Sequence, residues 1–524
     1  MPKRLNAHLK TAVKGSTLIL AGTAISQLLW FFIKVLIVRN TTKEEFGIYS
    51  LVLTISSVLT SVVPLGVPSG ISRFVSIYQG EDRMEEADGI SRAGVQIMLA
   101  AALVSFVFLY FLAGPIAGSV FYTPALAGPL RMISFLVPFT IYSGLVGGVL
   151  LGRGMIGQKL LTDLFTPLSY MFLILAVVFF HMHLNGILSA YILSGIIVSV
   201  LIVTYGVRKL GASPLLPRGG HRHWELLRFS IPLLVSTIMS MVLMWADTLM
   251  IGRYINPQAV GTYGVSVSLV KLLLFPITAL GYVFLPIAGE IYAKGEAGEL
   301  NRAYQVLTKW LFAATLPIFF ILCFFPQMSI TALFGPRFLD AVLPLRLLAI
   351  GFMVNAFLGT NGLLLMVLGL PGAVMNISIA AAVANVVLNY VFIKRMGMGI
   401  EGAALATMLS YILINILCSI KLYRYSRMHP FSASYLKPVA GAAGVGIVIY
   451  ALAKALPLSF WMLPVYFILF VGGYAASLLL TKSIEEEDLF LFGRVINRLG
   501  AKPEPVLALL GRFTPKIEKP RADV

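Results

Sequence analysis

A chain of 524 residues could form several soluble domains, but 58% of it is hydrophobic and only 12% is charged, about half the charge of a soluble globule. Those proportions exclude a soluble enzyme and describe an all-α integral membrane protein. Forty Lys and Arg against 22 Asp and Glu leave a net charge of +18, which in a membrane chain reports loop orientation against an anionic leaflet and not nucleic-acid binding.

A crossing helix needs about 20 mostly apolar residues. After a basic N-terminal segment, 1–15, such runs fall in chain order at 16–38, 46–67, 93–112, 130–151, 161–181 and 186–206. A basic stretch, 211–228, precedes a second group at 229–251, 259–286, 309–327, 341–368, 373–393 and 402–423. Two more, 436–456 and 460–481, precede a tail, 482–524. The first run lacks a small-x-small exit and leads straight into another span, so it reads as a helix and not a cleaved signal. Pro276 predicts a kink in the eighth helix. With a cytoplasmic N-terminus, inside segments hold 29 Lys and Arg and outside segments nine, while Lys34 and Lys271 fall within spans. That bias puts both termini in the cytoplasm of a cell-membrane protein, and fourteen spans satisfy the even count it requires. Cys323 and Cys418 lie in apolar stretches and read as core packing. In the tail, Leu489, Phe492, Val495, Ile496 and Leu499 recur at helical spacing and predict a surface-lying amphipathic helix that meets anionic lipid.

The chain also repeats itself. Leu36-Ile37-Val38-Arg39 followed by Phe46-Gly47-Ile48-Tyr49 recurs as Met250-Ile251-Gly252-Arg253 followed by Val260-Gly261-Thr262-Tyr263, 214 residues later; Asn185-Gly186 with Ser194 recurs as Glu401-Gly402 with Ser410, 216 later. A nearly constant offset predicts two six-helix lobes, 16–210 and 229–425, joined by the linker 211–228. Six is even, so both insert the same way up about a pseudo-twofold along the membrane normal, with the helices of 426–481 left over. Two such lobes describe a secondary transporter that works by alternating access. No filter-like loop or arginine-rich sensor suggests a channel, and no G-x-x-x-x-G-K-[ST] run suggests a P-loop ATPase.

These features, with Glu45-Phe46-Gly47-Ile48-Tyr49, Leu65-Gly66-Val67-Pro68 followed by Arg73, and Asp247-Thr248-Leu249-Met250-Ile251-Gly252-Arg253, resemble the multidrug/oligosaccharidyl-lipid/polysaccharide exporter superfamily over about residues 15–425. Within it the chain is most similar to the polysaccharide-transporter branch of Wzx-type and SpoVB-like flippases, with the lipid II flippase more distant. The resemblance implies a transporter, with no catalytic residues or cofactor, that turns a polyprenyl-(pyro)phosphate-linked oligosaccharide from the cytoplasmic to the outer leaflet as a monomer.

Ionisable groups at membrane depth are costly, so each is a candidate site. The repeat carries Lys34 onto Thr248, beside Asp247, which predicts an interlobe ion pair or gate between Lys34 and Asp247, or a pyrophosphate held by Lys34. Lys271, mid-way along the eighth helix, is the foremost candidate for the substrate phosphate. Arg73 and Arg153, with Lys159, are candidates for headgroup recruitment at the cytoplasmic ends, although positive-inside bias alone explains them. Arg39 and Arg253 are repeat mates at the exit side, where a helix C-terminus equally favours a cation. Ser378, Asn385 and Asn389 share one face of the eleventh helix and could meet glycan hydroxyls, or glue helices together. Asp163 reads as a helix-start acid, Glu290 as solvated, and His181 and His183 lack the third ligand that a metal needs. Two other classes stay open: a MATE-like cation-coupled drug antiporter, which wants more cavity acids, and a membrane polymerase or ligase, which wants an outside loop with a general base. A glycosyltransferase or polymerase docking on the tail is a further alternative.

Overall fold

The computed structural model describes residues 22–455 and 462–484 apart from 24, 156, 218, 220, 221, 433, 434 and 482, together with 488, 489 and 493. Among the described residues every regular element is helical. Among the described residues eleven helices, or twelve with one bent pair counted as a span, are long and apolar enough to cross a membrane. Helix α1 (22–39) and α9 (His223–Tyr254) fall on the predicted first and seventh runs.

The helices outrun the hydropathy signal wherever their ends are polar. The second run continues past a break as α2 (Lys43–Val62) and α3 (Val67–Gly80). Pro64 has no N–H to donate, Leu65 and Gly66 take positive φ of 53° and 72°, and Pro68 opens the next helix, so the Leu-Gly-Val-Pro motif is a built helix break. Helix α3 then buries Val67, Ile71, Phe74, Val75 and Tyr78 on one face while exposing Arg73, the stripe expected of an amphipathic helix. Helix α4 (Met84–Pro115) follows, and the fourth run splits into α5 (Ala127–Ser134) and α6 (Val137–Gly152), bent by 43°. Pro138 clashes with the carbonyl four residues back, at Ser134, which puts the bend there. Helices α7 (Gly157–Phe179) and α8 (His183–Leu210) complete the first half.

The eighth run is α10 (Pro257–Val270), a 3-10 turn Lys271–Leu273, and α11 (Leu274–Ala293). Near the proline the helix tightens into a 3-10 turn at Lys271–Leu273, where the Pro276 ring crowds the Leu272 carbonyl. Helices α12 (Ala297–Phe324), α13 (Pro326–Phe334), α14 (Val342–Leu358), α15 (Asn361–Val367), α16 (Pro371–Asn389), α17 (Gly399–Ser426), α18 (Leu436–Ala455) and α19 (Leu463–Leu480) follow.

The chain divides into two compact units. One comprises Ala21–Ser268 and Ser378–Ser410; the other comprises Leu269–Ile377 and the described part of Tyr411–Val524. In the second unit Leu311, Phe312, Phe320 and Phe325 of α12 and its end pack on Ala442 and Ile449 of α18 and on Tyr466, Phe470 and Tyr474 of α19, with the Phe320 and Phe470 rings stacked at 4.2 Å. The two helices beyond the repeat are thus core partners of α12. Cys418 is buried among Phe284, Leu307 and Leu364 of the same unit, and both cysteines are free thiols. Apart from Asp488, Leu489 and Gly493, the predicted amphipathic tail helix lies outside the described residues, as does the Lys159 side chain.

Candidate transport site

In the first unit α9, α10, α16 and α17 meet around one buried carboxylate. Asp247, 6% exposed, accepts from Asn389 Nδ2 on Oδ1 at 2.7 Å and from Thr407 Oγ1 on Oδ2 at 2.6 Å, and the Tyr263 hydroxyl donates to Oδ2 as well. Asn385 stands behind them, accepting from Asn389 Nδ2 at 3.2 Å and donating to Thr407 Oγ1 at 3.1 Å. Hydrogen bonds to a charged group stabilise by about 1.5–3 kcal/mol each, so three neutral donors offset much of the cost of a carboxylate at this depth. Asn389 Oδ1 is buried without a hydrogen-bond partner among the described residues. The network therefore offers a carboxylate, an amide oxygen with free lone pairs and two hydroxyl oxygens. Chemically it can take up a proton on Asp247, which would turn an acceptor into a donor, or surround a small monovalent cation with oxygen.

The expectations for this face change accordingly. Lys34 Nζ lies 3.4 Å from Ser268 Oγ while Asp247 takes Tyr263, Thr407 and Asn389, so the two charges have different partners instead of the predicted ion pair. Asn385 and Asn389 are fully buried and serve Asp247, which is the interhelical one of the two uses the stripe allowed and not the glycan-contacting one. Ser378 is half-buried at the start of the same stripe.

Near Asp247 the repeated motif closes a seam. Thr42 caps α2, accepting from Glu45 N at 3.1 Å while Glu45 Oε2 accepts from Thr42 N at 2.8 Å; Asn256 does the same for α10, accepting from Ala259 N at 2.8 Å. The Glu in the motif is thus half of a capping box. The two helices then cross at repeat-related glycines: a Cβ on Gly47 would stand 1.7 Å from Pro257 O, and one on Gly261 would stand 2.2 Å from Lys43 O. Glu44 and Gln258, also 214 apart, join side chains at 2.8 Å. Small residues let backbones approach this closely.

The remaining cations are mostly engaged. Arg153 pairs with Asp88 at 2.5 Å, so it braces α4 against α6 instead of standing ready for phosphate. Arg73 lies over the Phe229 ring at 4.3 Å, and Arg253 over Tyr122 at 4.4 Å with a bond to its hydroxyl at 3.2 Å. Arg39 is exposed at the end of α1, Glu290 is paired with Lys294 at 3.1 Å, and His183 Nδ1 lies 3.9 Å from Glu45 Oε1. In the second unit Lys271 is exposed on the 3-10 turn, a break in regular backbone that at membrane depth is tolerated where it is buried in protein or lines water.

The sequence profile of the polysaccharide biosynthesis protein family matches residues 12–292. The chain belongs to that family. Its place is in the polysaccharide-transporter branch of the multidrug/oligosaccharidyl-lipid/polysaccharide superfamily, and a MatE profile matches residues 232–391. The chain is 21% identical over 430 residues to an uncharacterised membrane protein of Methanocaldococcus jannaschii, covering 78% of this chain and 83% of that one. It is 20% identical over 432 residues to stage V sporulation protein B of Bacillus subtilis, with 78% and 83% covered. Among solved structures it shares its fold with the lipid II flippase MurJ in an inward closed conformation, at a TM-score of 0.70 and 16% identity over 88% of this chain and 98% of that one. The protein is a multi-span membrane transporter of polysaccharide biosynthesis.

Sequence reading missed three parts of this transporter. Tyr263 and Thr407 complete the Asp247 shell; Tyr263 was legible as the repeat mate of Tyr49. A buried pair in the second unit also escaped notice: Lys309 Nζ meets Asp488 Oδ2 at 2.6 Å and Ser483 O at 3.2 Å, and Trp310 Nε1 donates to Asp488 Oδ1 at 2.9 Å.

Proposed function

We propose that this transporter flips a polyprenyl-(pyro)phosphate-linked oligosaccharide from the cytoplasmic to the outer leaflet, for cell-surface polysaccharide or glycoprotein assembly, through fourteen spans with both termini cytoplasmic. The observation that carries the reading is the seam at Gly47 and Gly261. Two helices related by the repeat pack against each other at repeat-related atoms, which is what two pseudo-symmetric lobes do when they close one face of an alternating-access path. On the topology given by the positive-inside bias, that face is the outer one, with Arg39 and Arg253 at its rim. Lys271 receives the phosphate, and Lys34 helps to hold the seam through α10. A proton or monovalent cation reaching Asp247 rearranges the shell that ties α9 to α16 and α17, which couples the seam to a gradient.

The reading is tested in cells that lack the protein. Lipid-linked oligosaccharide should accumulate in intact spheroplasts in a form inaccessible to externally added glycosidase, and re-expression should restore access; equal access with and without the protein overturns the proposal. A second reading, cation-coupled export of organic cations, is favoured by the buried Asp247 alone and predicts dye efflux under an ion gradient.

A further inference from the structure

A cavity of about 440 Å³ lies wholly within the second unit, where α14 gives way to α15. The break is built into the fold. Gly359 takes a φ of 72°, and the carbonyls it releases are satisfied by protein: Leu358 O accepts from the Tyr304 hydroxyl at 2.7 Å and Phe357 O from the Tyr435 hydroxyl at 2.9 Å. Asn361, at the start of α15, is tied to α17 through Asn415 O and Ser419 Oγ, each at 3.0 Å. What the break leaves over faces the cavity. Among the described residues Thr360 Oγ1 is buried with no hydrogen-bond partner, and the Asn355 amide, one turn before the break, bonds to no other of them. Tyr411 walls one side, its ring held against Phe352 at 4.5 Å.

Three features of this cavity select a class of ligand. None of the described residues lining it is charged, so a phosphate or an organic cation would be desolvated there without a counter-charge. An isoprenoid chain would leave the Thr360 hydroxyl and the Asn355 amide unpaired, at about 1–3 kcal/mol each. A neutral sugar ring meets both demands, because its hydroxyls can pair with the amide and the hydroxyl while its C–H face lies on the Tyr411 ring and on Ile277 and Ile414. The volume falls in the range of small-molecule pockets, about 300–1,000 Å³. We propose that the cavity beside Thr360 is a subsite for one uncharged glycosyl unit. It rests on the flippase reading for its biological ligand, and adds that the glycan itself is gripped, by a neutral site separate from any phosphate contact.

The test is saturation-transfer NMR on the full-length protein in lauryldimethylamine oxide, a detergent without sugar. The probes are a panel of neutral methyl glycosides and, separately, undecaprenyl phosphate. At least one glycoside should be saturated by wild type. Losing one hydrogen bond of about 1 kcal/mol, in Thr360→Val or in Asn355→Leu, should weaken its binding about five-fold, while Thr360→Ser keeps it and undecaprenyl phosphate binding is unchanged. Saturation of no glycoside by wild type, equal saturation in both variants, or loss of undecaprenyl phosphate in those variants would each overturn the proposal. Glycoside binding that follows these variants, in a protein that does not bind undecaprenyl phosphate, would keep the sugar site and count against the flippase reading.

Discussion

Lys309 and Asp488 are 1% and 0% exposed and meet at 2.6 Å, which makes the tail's attachment to α12 the sharpest energetic prediction in the molecule. Asp488→Leu removes the carboxylate from a buried ammonium that also meets the Ser483 carbonyl, and it breaks the Trp310 Nε1 bond to Asp488. Breaking a buried pair from one side costs about 3–5 kcal/mol because the remaining charge stays desolvated, and the lost indole bond adds about 1 kcal/mol. Lys309→Met, which takes the ammonium away from the buried carboxylate, should cost a similar amount. The double variant Lys309→Met/Asp488→Leu removes both charges and fills the site with apolar volume, so it should recover most of the loss; such replacements are often neutral or better. The assay is thermal unfolding of the purified protein in detergent, followed by intrinsic fluorescence at a fixed scan rate, since membrane-protein melting is commonly irreversible. Single variants that melt like wild type, or a double variant as unstable as the sum of the singles, would refute the reasoning.

Further predictions follow the same residues. Gly47→Ala puts a methyl into the Pro257 carbonyl, an overlap that a backbone atom cannot rotate away from, and should destabilise the closed seam by about 1–3 kcal/mol; bismaleimide cross-linking of Glu44→Cys with Gln258→Cys should fall in that background, and unchanged yield would argue against the seam. Thr407→Val removes one charge-assisted bond to Asp247, about 1.5–3 kcal/mol, and Asp247→Asn removes the charge itself. Both should reduce flipping in proteoliposomes, and only Asp247→Asn should abolish its response to an imposed ion gradient. Arg153→Ala and Asp88→Ala should lower stability by about 1 kcal/mol or less, as partly exposed pairs do, with flipping per folded molecule unchanged.

Much of the fold was legible because apolar length and the constant repeat offset are strong signals, as α9 and α17 illustrate. What escaped was whatever hydropathy averages over. Helix α12 begins at Ala297, twelve residues ahead of its apolar run, because Glu299, Asn301, Arg302 and Gln305 are helical without being apolar. The breaks at Gly66 and Gly359 depend on backbone geometry that no local average registers. At the candidate site the sequence singled out Asp247 correctly as a buried acid and gave it the wrong neighbour. A repeat offset aligns positions along two helices, but which side chain turns inward is decided by the third and fourth helices, here α16 and α17. Lys309 was hidden for a different reason: its partner lies 179 residues away in the tail, which hydropathy gives no cause to place beside α12.

The most direct test of the account is leaflet accessibility of a fluorescent undecaprenyl-diphosphate-linked oligosaccharide in proteoliposomes, comparing wild type with Lys271→Ala. The account predicts that wild type exposes inner-leaflet label to an external quencher within the assay, and that Lys271→Ala does so at least about tenfold more slowly, the effect of losing roughly 1.4 kcal/mol of phosphate contact. Label that stays protected in wild-type vesicles, in a protein that instead moves a cationic dye against a Na⁺ or H⁺ gradient, would contradict it.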